Sequence, residues 1–201
     1  ALDGLSGNEI WHYEPSGYGD DDIESYVTPS VGYFNSDGVP DVFLTLSIGT
    51  WPQYTGSLQI ALSGWDGSII LKEESSSPGF PSPVAADLNG DTIDEVLLVV
   101  PDFYNQSTTL TIFDFASDNT FEYEWDVVGA GTPLVTDLDH DGVLELVGCY
   151  STGMMEGGNW NLFRKTLNAA ATGTPSWGGY LGSLSDGSFR NGCTEAQPSA
   201  P

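Results

Sequence analysis

The stretch Ala86–Val100, ADLNGDTIDEVLLVV, decides how the rest of the chain is read. Oxygen-bearing side chains fall at alternate positions, Asp87, Asn89 and Asp91, followed by the backbone carbonyl of Ile93 and the carboxylate of Glu95. The acid then runs straight into VLLVV, a short apolar run behind turn residues, which reads as a buried strand. Sliding the sequence on itself finds two more copies, GYFNSDGVPDVFLTL from Gly32 and TDLDHDGVLELVGCY from Thr136. Their first loop positions, Tyr33, Asp87 and Asp137, are 54 and 50 residues apart, a period that suits one four-stranded repeat unit. A weaker repeat alternates with the first: ALDGLSGNEIW from Ala1, ALSGWDGSIIL from Ala61 and IFDFASDNTFEY from Ile112, each read as strand, turn, strand.

Calcium takes about 6–8 hard oxygen ligands in flexible geometry, so a tight loop that turns every second oxygen inward makes a suitable cage. The second copy offers Asp87, Asn89, Asp91, the carbonyl of Ile93 and Glu95; the third offers Asp137, Asp139, Asp141, the carbonyl of Val143 and Glu145. The first offers only Asn35, Asp37, the carbonyl of Val39 and Asp41, because Tyr33 stands where the others have an Asp. Two strong calcium sites and one weaker one are therefore expected. Gly38 and Gly142 follow the third side-chain ligand, where positive φ is easiest, and Thr92 takes that place in the second loop. An EF-hand needs a bidentate Glu at the twelfth position between helices; here those positions are Leu44, Leu98 and Gly148. One such loop alone reads as an ordinary polar turn, but three in register favour an ion.

The three segments resemble FG-GAP repeats, the calcium-binding blades of integrin α-subunit propellers and of many secreted proteins. The pattern of that family is D-x-[DN]-x-D-G-x-x-[DE] ahead of an apolar strand. The resemblance covers roughly residues 25–150 and is most specific in the last two copies. It implies an all-β chain of β-propeller-type blades: residues 1–150 as about three FG-GAP-like repeats, open or completed by another chain. Residues 151–201 are then a C-terminal extended docking arm, or final blade strands with a loose tail. The N-terminal ALDGLSGNEIW also resembles the docking motif of quinoprotein dehydrogenase propellers, through Ala1, Asp3, Ser6, Gly7 and Trp11. The other copies lack the terminal Trp, so Trp11 is read as a packing residue between blades.

Composition bounds the function. The apolar fraction of 39% and 12% aromatics suffice for a core, while 4 Lys+Arg against 29 Asp+Glu repel nucleic acid and anionic membranes and favour cations. No apolar run approaches the length of a membrane span, so no membrane insertion is expected. Cys149 and Cys193 form an even pair in a Lys-poor chain of secreted character, which suggests one disulfide. Asn105-Gln106-Ser107 is a glycosylation sequon, consistent with an extracellular or cell-surface protein. Helix formers are scarce; only Asn161 to Ala171 looks helical, and that tract also reads as an extended tail. Three of the four basic residues, Arg164, Lys165 and Arg190, lie in the C-terminal segment, from which they can meet the acidic loops. No nucleophile elbow, zinc pattern or phosphate loop occurs. The expected function is a non-enzymatic structural or adhesive protein that assembles with itself, as in a filament, or binds another surface protein or glycan. The alternative is a fragment of a secreted carbohydrate-binding or polysaccharide-active propeller protein, with tryptophans as a sugar platform.

Overall fold

A computed structural model describes the chain apart from residues 19–21, 78, 103–104, 126–127, 153–157, 171–174, 185–186, 188 and 190–201. The described residues form thirteen strands in three antiparallel sheets, with no helix. The first sheet holds β1 (Ile23–Glu24), β2 (Ser30–Gly32), β3 (Asp41–Thr50), β4 (Gln53–Leu62) and β5 (Ile69–Ser75). The second holds β6 (Val84–Ala86), β7 (Glu95–Asp102), β8 (Ser107–Asp114) and β9 (Asn119–Trp125). The third holds β10 (Val128–Ala130), β11 (Leu134–Thr136), β12 (Val143–Ser151) and β13 (Trp160–Ala170).

All three sheets are built on one plan. A three-residue strand enters the acidic loop, and the chain returns beside it as a long strand. The closing pairs are Gly32↔Asp41, Ala86↔Glu95 and Thr136↔Glu145, the same register in each repeat. The weaker repeat is equally visible. Asp3 N–H donates to Asn8 O and Gly7 N–H to Asp3 O, and sixty residues on Ser63 N–H donates to Ser68 O and Gly67 N–H to Ser63 O. In the third copy Ser117 caps Asp114 as Ser6 caps Asp3, through both its N–H and its hydroxyl. Trp11 packs against Leu58, Ile60 and Leu62 and donates its indole N–H to Gly64 O (2.9 Å).

No strand of one sheet pairs with a strand of another among the described residues. The sheets meet through side chains instead. Phe34, Phe43 and Ala61 of the first pack on Ala85, Val96, Leu98 and Phe113 of the second. Leu97, Val99 and Leu110 of the second pack on Val135, Leu144 and Leu146 of the third. The second sheet is thus covered on both faces, which is why its inner strand reads as an unbroken apolar run rather than an alternating one. The short strands line up as well, β2 beside β6 and β6 beside β11.

The tract with helical character is a strand. Residues Trp160–Ala170 pair with β12 from Ser151↔Trp160 to Val143↔Ala170, and Phe163 and Leu167 lie against the core between the second and third sheets. Pairing with the open edge of β12 and burial of two side chains outweigh a local propensity worth only tenths of a kcal/mol per residue. Further on, Trp177 is buried, exchanges both backbone hydrogen bonds with Ala85 (2.9 Å each), and is followed by Gly178, whose carbonyl accepts from Val135 N–H.

Candidate metal centre

In each repeat the acid at the ninth loop position is the most deeply buried ligand candidate. Asp41, Glu95 and Glu145 are 0%, 3% and 0% exposed. One carboxylate oxygen of each accepts the N–H of the residue after the loop's first position: Phe34 to Asp41 Oδ2 (2.9 Å), Leu88 to Glu95 Oε2 (2.6 Å), Leu138 to Glu145 Oε2 (2.8 Å). This bond folds the loop back over its own strand. The acid at the fifth position is exposed and caps the turn, with Asp37, Asp91 and Asp141 each accepting the N–H two residues on, at 2.7, 2.8 and 2.9 Å.

The first position organises the loop. Asp87 accepts from Asn89 and Gly90 on Oδ1 and from Thr92 on Oδ2. Asp137 does the same for Asp141 and Gly142. The residue donating the last of these bonds has positive φ, 75° at Thr92 and 86° at Gly142, with Gly38 at 77° in the first loop. Thr92 is therefore a β-branched residue in a conformation that suits glycine. Tyr33, lacking a carboxylate, is tied elsewhere: its N–H donates to Asp94 Oδ2 and its carbonyl accepts from Asp94 N–H, each at 2.8 Å, which links the first loop to the second.

Burial without a cation disfavours the charged form of a carboxyl group. It pushes Glu95 up to about 7 and raises Asp41 and Asp94 above the usual carboxylate range. In the third loop a cation is at hand. Arg164 on β13 donates to Asp139 Oδ2 and to Glu145 Oε1 (2.9 Å), and its hydrogen bond holds the Asp139 carboxyl below the usual range.

Each sequence-derived ligand thus lies in its own loop. Carboxylate oxygens of Asp137, Asp139 and Glu145 come within 4.8 Å of one another. The donors are hard oxygens throughout, carboxylates, amides and carbonyls, which suits calcium rather than a thiophilic metal. Sequence reading missed Asp94; it expected Arg164 to meet the acidic loops, as it does, without showing which acids it would meet. Asp94 stands where the other copies have Pro40 and Leu144, a departure that marks it; the Arg164 pairing depends on the strand register and leaves no local signal. Arg190 and Cys193 lie outside the described residues, so the disulfide does too; Cys149 is half-buried on β12, opposite Leu162. Asn105 is exposed in the turn between β7 and β8, where its N–H and Nδ2 donate to Asp102 at 3.0 and 2.8 Å.

Compared with known proteins, the chain matches no family model and no curated protein.

Proposed function

We propose that the chain is an extracellular calcium-binding repeat protein of FG-GAP type, with its three sheets as propeller-type blades and a structural or adhesive, non-enzymatic role. The observation that supports it best is the threefold recurrence of one loop, with the same closing register and the same buried acid. Asp87, Asn89, Asp91, Glu95 and the carbonyl of Ile93 would hold one ion, and Asp137, Asp139, Asp141, Glu145 and the carbonyl of Val143 a second. Asn35, Asp37, Asp41 and the carbonyl of Val39 would make a weaker third site. The ion would neutralise the one buried carboxylate of each loop together with the more exposed ones beside it.

With dissociation constants of about 10⁻⁴–10⁻³ M and about 1 mM calcium, each site contributes roughly 0.4–1.4 kcal/mol. Two or three sites then raise the melting temperature by several degrees for a domain of this size. Thermal melts in calcium and in excess chelator test this, and superimposed curves would defeat the proposal. Self-assembly through β13 is part of it: that strand carries Trp160 and Leu162, 70% and 80% exposed. A second reading, glycan binding, is favoured by Trp51, which is 67% exposed beside Tyr54 and Phe80. A glycan array that shows no binding removes it.

A further inference from the structure

In the first two loops the third position is an asparagine, and its Nδ2 donates to the buried acid: Asn35 to Asp41 Oδ1 (3.3 Å) and Asn89 to Glu95 Oε1 (2.7 Å). The third loop has Asp139 there, which as a carboxylate has no proton to give and sets a second negative charge beside buried Glu145. The donor comes from another element. Arg164 on β13, opposite Val147, places one guanidinium nitrogen against both Asp139 and Glu145. Within one repeat, an amide has been lost and a guanidinium gained at the same place. The positive charge that the two carboxylates require is thus already supplied by the chain.

We propose that Arg164 is a built-in cation of the third loop, so that a divalent ion binds there only in competition with the guanidinium and at a higher calcium concentration than in the second loop. This rests on the calcium reading of the loops. The competition is direct, because Asp139 and Glu145 are both the candidate ligands and the acceptors of Arg164. Release is feasible: the Arg164 side chain is 42% exposed, and its backbone is fixed to β12, so the head can move to water while the sheet stays paired. Calcium entry at the third loop is therefore coupled to release of an arginine, a step that the second loop lacks among the described residues.

Equilibrium dialysis of the full chain against calcium, with wild type, Arg164→Gln and Asp87→Ala compared, tests the proposal. Removing a unit positive charge a few ångströms from a bound ion should tighten one site by roughly tenfold. The expected result is that Arg164→Gln tightens one site by this factor and leaves the others as they were. Adding Asp139→Ala to Arg164→Gln should abolish the gain. Identical binding by wild type and Arg164→Gln, with Asp87→Ala still losing a site, overturns the competition and leaves the calcium reading standing. No bound calcium in any of these proteins overturns both. If Arg164→Gln does not fold, the wild-type chain decides: the Nε–H resonance of Arg164 should move with the weaker calcium event, and a resonance unmoved through saturation overturns the proposal.

Discussion

Asp87 accepts three loop N–H groups, so its carboxylate shapes the second loop as well as offering ligand oxygens. Asp87→Ala should lower the calcium stoichiometry by one, whereas Tyr33→Phe, at a position without a carboxylate, should leave it unchanged; dialysis that finds the same count in both variants would show the ligands to be misassigned. Glu95 gives a second, independent handle through pH. Burial raises its folded value to about 7 from an ordinary 4.5, and shifts Asp41 and Asp94 in the same direction. Between those two values the folded chain binds a proton that the unfolded chain does not, so this stability is complete below about 4.5 and is lost as pH rises through about 7. In chelator, the melting temperature should therefore climb as pH is lowered from about 8 to about 5, and Glu95→Gln should flatten the climb. Calcium, which needs the ionised carboxylate, should remove most of it at the upper end. A chelator profile with no slope across this range would contradict the burial argument.

Strands and loops were legible wherever the signal was local and repeated. The acidic loops, the strands that follow them and the alternating turn hairpins all recur in the sequence, and the structure repeats them down to register and hydrogen bonds. What could not be read was decided at a distance. Residues 161–170 carry helix-compatible side chains, yet the open edge of β12 makes them a strand, one of the readings left open for the C-terminal segment; the acids that Arg164 meets follow from that register, and the bridge from Trp177 to Ala85 is a separate long-range contact. The contact between β12 and β13 depends on a missing side chain. Gly148 lies opposite Phe163, and a Cβ on it would stand 2.7 Å from the ring. Gly148→Ala should push the ring out of the core that it shares with Leu97 and Leu146, costing about 1–3 kcal/mol as an overpacked site does. Urea unfolding at saturating calcium measures this, and an unshifted midpoint would mean that Phe163 contributes little to the docking.

Across the whole molecule, the order of packing determines what each part can survive without. The first and second sheets share one apolar core and the second and third share another, so the third sheet depends on a single neighbour and on its own outer strand. Truncation after Ser151 would remove that strand, together with Phe163 and Leu167 from the second core and Trp177 from the first. It would open the edge of β12 over seven or more residues, expose the apolar side chains Leu144 and Leu146, and break the backbone exchange between Trp177 and Ala85. An unpaired edge beside uncovered apolar side chains is a template for non-native pairing. The truncated chain should therefore bind a hydrophobic dye, melt at a lower temperature and precipitate, or lose any assembly that runs through β13. It would also lose Arg164, leaving Asp139 and Glu145 with no internal cation, so its remaining stability should depend more steeply on calcium than that of the full chain. Dye fluorescence, thermal melts and sedimentation velocity at matched calcium measure these effects. A truncated protein that stays soluble, equally stable and in the same oligomeric state would show that the first two sheets hold the third without its C-terminal strand.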